Sequence, residues 1–259
     1  MNQYQKIKLN SNNPITHKLI DIITEKQTNL CVSADVDTTE ELLNLANQVG
    51  PYICILKTHI DTLSDFTTDT ITKLKQLSLK HNFLLFEDRK FADIGHIANR
   101  QFTAPPLKIS TWADLITVHV VAGSLSIQAL KSALNNTGII VVAQMSTQDT
   151  LTSDEYVDKA IKIAEEHQDV VIGIVSQNKK PQHPGQLMLT PGINLSSTSD
   201  SKGQVYNSPE EAFNERGIDI MIVGRGIYES ENPTKWAEEY KKIGLYNVNK
   251  ICQEQSQMQ

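Results

Sequence analysis

Residues 87–93, Glu-Asp-Arg-Lys-Phe-Ala-Asp, place four consecutive charges and a further carboxylate directly after the apolar run Phe83-Leu84-Leu85-Phe86. Such a run reads as a strand buried on both faces, which would hold its charged exit rigidly at one end of a core. In extended backbone alternate side chains share a face, so Asp88 and Lys90 belong together while Glu87 and Arg89 point the other way. Asp93 follows from the turn beyond. An ammonium between two carboxylates can deliver a proton at a defined place. The alternative for this segment alone is a solvated strand end carrying inexpensive ion pairs.

The elements that must position these charges form a regular alternation. Eight short apolar runs read as strands: Leu30–Ala34, Ile53–Lys57, Phe83–Phe86, Leu115–Val118, Ile139–Ala143, Val170–Val175, Leu187–Leu189 and Ile220–Val223. Amphipathic segments with helix-start signals lie between them. Thr38 precedes Glu40 and Glu41, Ser153 precedes Asp154 and Glu155, and Pro209 and Pro233 stand at first helical positions. Eight strand–helix units in 259 residues, with no composition break or linker, predict a single-domain (β/α)₈ TIM barrel over residues 1–259 rather than an open doubly wound sheet. The polar stretch Ser196–Ser201 is expected to be a mobile loop.

In a barrel the C-terminal ends of the strands line the active site, so their polar exits can be collected. They are Ser33 and Asp35 after the first strand, Lys57 and His59 at the second, the 87–93 motif at the third, Gln144 and Ser146 after the fifth, Pro191 after the seventh, and Gly224-Arg225-Gly226 after the eighth. Glycines there let the backbone approach a ligand, a following helix N-terminus offers free N–H groups, and Arg225 adds a bidentate contact to phosphate. A helix-entry turn would look the same in isolation, and His59 reads equally as a hydrogen-bonded strand-end histidine. The set Asp35, Lys57, Asp88, Lys90, Asp93 alternates in sign along neighbouring strand ends. No nucleophile elbow, zinc-spaced Cys/His cluster, Walker loop or dinucleotide glycine fingerprint accompanies it. That leaves acid/base or electrostatic catalysis without metal or cofactor, in which Lys90 stabilises and protonates a carbanion and Asp88 and Asp93 repel a carboxylate that departs.

Net charge is −6 without a basic stripe, which speaks against a nucleic-acid backbone or an anionic membrane surface as partner. No apolar run approaches the length of a membrane span, and the N-terminus lacks an apolar signal region. Cys31, Cys54 and Cys252 have no paired spacing, as expected for a reducing, cytoplasmic setting.

Ser33-Ala34-Asp35, Leu56-Lys57-Thr58-His59, Phe86 to Gly95, Thr190-Pro191-Gly192, Gly203-Gln204-Val205-Tyr206 and Ile222 to Gly226 together resemble orotidine 5′-phosphate decarboxylase, best its eukaryotic type, as in fungal enzymes and the C-terminal domain of animal UMP synthase. The resemblance runs in order from about Leu30 to Tyr240. It implies conversion of orotidine 5′-monophosphate to UMP and carbon dioxide, the last step of de novo pyrimidine synthesis, without metal or coenzyme. It makes Lys90 the proton donor to C6, with Asp88 and Asp93 around the leaving carboxylate and Asp93 reaching the site of a second subunit in a homodimer. Substrate contacts carried over are Asp35 and Lys57 at the ribose hydroxyls with His59 in support, Ser146 at the pyrimidine edge, Gln204, Tyr206 and Arg225 at the phosphate, Ser33, Pro191 and Gly224 as further substrate-binding residues, and a lid over residues 194–207.

Three positions depart from that pattern. Ile97 stands where a threonine usually reaches the partner's ribose, His96 replaces a common asparagine, and Gln144 replaces a glutamate. The stretch before Leu30 has no room for the phosphoribosyltransferase domain that precedes this one in animal UMP synthase, so the chain reads as either a stand-alone decarboxylase or an excised domain, the start at Met1 favouring the former. Two other readings stay open: a non-catalytic nucleotide-binding homologue, motivated by Ile97 and Gln144, and a metal-dependent sugar-phosphate epimerase, motivated by the His59-x-Asp61 spacing.

Overall fold

Eight strands pair in parallel and in chain order, and the last returns to the first: β1 (Leu30–Ser33), β2 (Ile55–Thr58), β3 (Leu84–Phe91), β4 (Leu115–Val118), β5 (Gly138–Val142), β6 (Val171–Val175), β7 (Leu187–Thr190) and β8 (Ile220–Val223) form a closed barrel. The computed structural model describes residues 2–195 and 206–257, with side chains through Asn247. Parallel strands covered on both sides must be apolar on both faces, and all of β1, β2, β4, β5, β6, β7 and β8 is buried. The seam that closes the ring aligns Cys31 with Ile222 and Val32 with Val223.

The expected strands recur within a residue or two, with one exception that matters for the site. β3 does not stop at Phe86 but continues through the charged motif to Phe91, and its register against β4 shifts between Glu87 and Phe91. Lys90 lies inside this bulge in the left-handed region, at φ 53°, a conformation that carries strain for a side chain other than glycine. Phe91 pins the far end of the strand by an edge-to-face contact with Phe102, ring centroids 6.0 Å apart.

The helices between strands begin where the sequence signals them. Thr38 caps α3 (Thr39–Val49) in a reciprocal capping box with Glu41. Ser153 caps α7 (Asp154–Glu166), Ser208 with Pro209 opens α8 (Pro209–Asn214), and the Asn232 side chain accepts from Lys235 N–H ahead of α10 (Pro233–Gln257). The other connections carry α4 (Thr68–His81), α5 (Gly95–Thr103), α6 (Leu125–Lys131) and the single-turn α9 (Arg225–Tyr228). The strand–helix alternation is incomplete in one place, because residues 176–186 join β6 to β7 without a helix.

Two helices ahead of β1, α1 (Gln3–Asn10) and α2 (Pro14–Lys26), form a floor under the strand entrances. Tyr4 donates to Asp219 O before β8, Asn13 donates to Asp169 O before β6, and Lys18 pairs with Asp114 before β4 at 2.9 Å. Both Cys31 and Cys54 are buried free thiols, packed in the core as small apolar side chains.

Candidate active site

A cavity of about 250 Å³ opens at the C-terminal ends of the strands. Its wall includes Ser33, Asp35, Lys57, His59, Asp88, Lys90, Ser146, Pro191, Tyr206, Gly224 and Arg225. Eleven sequence-predicted residues therefore meet in one place. Gln204 and most of the expected lid, with the loop Ser196–Ser201, lie outside the described residues.

Four members of the alternating row touch in sequence order. Asp35 Oδ1 lies 3.6 Å from Lys57 Nζ, which lies 3.0 Å from Asp88 Oδ2, which accepts from Lys90 Nζ at 2.7 Å. His59 Nε2 joins them, 3.0 Å from Lys57 Nζ and 3.3 Å from Asp88 Oδ2. Ser33 Oγ donates to both oxygens of Asp35, at 2.8 and 2.9 Å.

Burial alone would neutralise Lys57, but Asp88 and Asp35 outweigh it and raise its pKa above the ordinary lysine value. Burial likewise works against the charged form of Asp88. Lys57, the His59 hydrogen bond and Lys90 overcome it and hold the carboxyl well below the usual carboxylate range. The pair is ionised because each partner carries the other's desolvation cost, which neither could meet alone.

Thr117, a residue absent from the sequence-based set, locks this geometry. Its hydroxyl donates to Asp88 Oδ1 at 2.8 Å and accepts from the Lys90 backbone N–H, also at 2.8 Å. One side chain thus orients the carboxylate and fixes the bulge that turns Lys90 inward. A buried hydroxyl inside the apolar run Leu115-Ile116-Thr117-Val118 was the available signal, since such a group needs partners.

Arg225 stands across the mouth, its guanidinium carbon 5.6 Å from the Tyr206 ring centroid. Tyr228 follows in the same turn and also lines the cavity; burial, then the Asp35 charge, pushes its hydroxyl up to about 12. Gly226 packs closely, since a Cβ there would sit 2.8 Å from the hydroxyl of Tyr240 in α10 and displace it. That hydroxyl in turn accepts from Leu195 N–H at 3.0 Å. The departure at Gln144 also finds a role: its Oε1 accepts from Gln177 N–H at 3.0 Å, work that a carboxylate could do equally.

Asp93 is the member that the structure does not bring to this cavity. It is exposed in the turn after β3, where Oδ1 accepts from Ile94 N–H at 2.7 Å. The His59-x-Asp61 pair also fails to converge, since His59 faces Asp88 while Asp61 pairs with Arg89 at 3.3 Å. Among the described residues no group of three or more His, Cys, Asp or Glu side chains is placed to hold a metal ion.

Comparison with known proteins agrees with this geometry. Residues 28–240 match the orotidine 5′-phosphate decarboxylase / HUMPS family. An orotidine 5′-phosphate decarboxylase of Torulaspora delbrueckii is 40% identical over 260 residues, covering 96% of this chain and 98% of that protein. A uridine 5′-monophosphate synthase of Bos taurus is 43% identical over 92% of this chain, and the chain spans about half of its length (50%). Among solved structures, orotidine 5′-monophosphate decarboxylase of Methanocaldococcus jannaschii complexed with the inhibitor BMP superposes with a TM-score of 0.66 at 25% identity, over 83% of this chain and 98% of that one. With its barrel, its charged row and a match over most of its length, the chain belongs to the orotidine 5′-phosphate decarboxylase family.

Proposed function

We propose that this chain converts orotidine 5′-monophosphate to UMP and carbon dioxide, the last step of de novo pyrimidine synthesis, without metal or coenzyme. The observation that carries the proposal is the Lys90 ammonium, aimed into the cavity and held 2.7 Å from a buried, ionised Asp88, with Arg225 on the opposite wall. The substrate's phosphate lies against Arg225 and Tyr206, on the wall that also carries Pro191 and Gly224, and Gln204 is its remaining expected contact. Its ribose hydroxyls meet Asp35 and Lys57, and Ser146 reads the pyrimidine edge.

This orientation sets the substrate carboxylate beside Asp88, a repulsion relieved as the C6–carboxyl bond breaks and carbon dioxide leaves. The electron pair stays on C6. Lys90 stabilises that developing charge and then transfers its proton to the carbon, giving UMP. Contacts to the distant phosphate supply binding energy that closing loops can convert into transition-state stabilisation.

The functional unit is a homodimer in which Asp93 completes the partner's site. Ile94, next to Asp93 in the chain, is 65% exposed, and Val121 and Leu125, after the neighbouring strand β4, are 67% and 69% exposed, the kind of surface a second copy covers. Ile97, where a threonine was expected, adds to that apolar surface. The setting is cytoplasmic, in keeping with buried thiols that stay reduced.

Decay of the orotidylate absorbance on mixing with enzyme, in the presence and absence of a chelator, tests the reaction. Turnover indifferent to chelation is expected. No decay would identify a nucleotide binder, and decay abolished by chelation would identify a metal enzyme. Mixing inactive Lys90→Ala with inactive Asp93→Ala should restore turnover, because one site of a mixed dimer holds both residues intact. Failure of the mixture to recover would place Asp93 outside the partner's site.

A further inference from the structure

Two charges of the opening motif have no part in the chemistry above. Glu87 and Arg89 leave β3 on the side away from the cavity, yet both reach the exit of β2. The Glu87 carboxylate is wholly buried, at 0% exposure. It accepts from Thr58 Oγ1 at 2.7 Å and from Ile60 N–H at 3.1 Å to one oxygen and 3.2 Å to the other. Arg89 Nε holds Asp61 at 3.3 Å. Thr58 directly follows Lys57, and Thr58, Ile60 and Asp61 flank His59, so three attachments within four residues hold the turn that carries these two contacts of Asp88.

Burying a carboxylate is expensive, and packing alone would be met by an apolar side chain of similar size. Burial pushes this carboxyl up to about 8, with the bonds from Thr58 and Ile60 pulling the other way. Among the described residues, its hydrogen bonds all come from one turn, residues 58–60.

We infer that Glu87, backed by Arg89, is a positioning residue: it fastens the 58–61 turn so that Lys57 and His59 stand ready at the ribose end of the substrate. The inference rests on the proposed reading of the cavity, in which the ribose lies against Asp35 and Lys57. β3 thereby serves the site twice, presenting Asp88 and Lys90 inward and aligning the neighbouring strand's exit from its other face.

The parent enzyme is assayed first, and absence of orotidylate turnover there would sink the proposed function, not this inference. In an active parent, Glu87→Leu keeps the bulk and deletes both acceptor oxygens, whereas Glu87→Gln keeps one. UMP and inorganic phosphate serve as competitive inhibitors, because only UMP carries a ribose. Glu87→Leu should weaken UMP roughly tenfold and leave inorganic phosphate within about twofold, and Glu87→Gln should recover most of the loss. Equal weakening of both inhibitors would mean general loosening of the fold and overturn the inference, as would unaltered UMP binding. Should Glu87→Leu not fold, Thr58→Val removes one donor while keeping the side chain's shape. It should shift UMP alone in the same direction by a smaller factor, and an unchanged ratio of the two inhibitors would overturn the inference equally.

Discussion

Two lysines are withdrawn from water at opposite ends of the barrel, and they are handled in opposite ways. At the mouth, Lys57 is paired with the carboxylates of Asp88 and Asp35, which raise its pKa against the pull of burial. At the floor, Lys26 ends α2 and donates to four backbone carbonyls: Gly50 at 2.8 Å, Ile53 at 2.6 Å, His81 at 2.6 Å and Asn82 at 2.9 Å. With dipoles in place of counter-charges, burial lowers its pKa to about 8. The carbonyls belong to chain segments that end α3 and α4 and lead into β2 and β3, so Lys26 gathers helix C-termini, where a cation is favourable. One ammonium spends its hydrogen bonds on holding backbone together. The other is kept charged among charges that a substrate can rearrange.

The comparison makes the mouth a place of function and the floor a place of stability, and variants can break it. The largest effect is expected for Lys90→Ala, whose turnover should fall by roughly 10²–10⁴-fold with UMP affinity retained. Near-parental turnover would remove Lys90 as proton donor and empty the mouth of its special role. Next, Arg225→Ala should raise KM about tenfold or more with a smaller change in kcat, through loss of a charge-assisted contact; an unchanged KM would move the phosphate elsewhere. Lys26→Met should lower unfolding stability by about 1–3 kcal/mol in urea titration, since its carbonyls lose their donor, while kcat stays within about twofold. A large fall in kcat at unchanged stability would erase the distinction.

The smallest effect is one of sign with pH. Between about 8 and the ordinary lysine value of 10.5, the unfolded chain binds more protons at Lys26 than the folded one, so the stability of the parent relative to Lys26→Met should rise with pH across that window. Lys57 runs the other way: its stabilisation is complete below 10.5 and is lost as pH climbs through its raised value. Urea midpoints of parent and Lys26→Met near pH 7.5 and about pH 9.5 measure the difference. A gap that shrinks with pH would mean that Lys26 is stabilised as a cation by its carbonyls, like its counterpart at the mouth.

The barrel and most of its site could be read from residues 30–226 because apolar runs, helix caps and polar strand exits are local signals. Asp88 and Lys90 meet as alternation predicts, but not for that reason alone. The strand bulges between Glu87 and Phe91, and Lys90 enters the cavity through a left-handed residue that no spacing rule announces. Thr117 was missed because its two partners, Asp88 Oδ1 and Lys90 N–H, lie on another strand. Lys26 was missed for a similar reason, since its four carbonyls are brought together only by tertiary structure. Asp93 looks from sequence like the fifth charge of the row, yet it ends in solvent within a single chain because the turn carries it past the rim.

The seam between β1 and β8 has a consequence for how the protein comes into being. Ser33 and Asp35 stand on one side of that seam and Gly224 and Arg225 on the other, near enough that a Cβ on Gly224 would lie 3.6 Å from Ser33 Cβ. The strands that meet there are the first and last to leave the ribosome. The Asp35–Lys57–Asp88–Lys90 row needs only strands from the first half of the chain, whereas the wall carrying Gly224 and Arg225 joins it only when the ring closes. Under the proposed function, the phosphate contacts would therefore be the last part of the site to join the charged row, at the closure that completes the barrel.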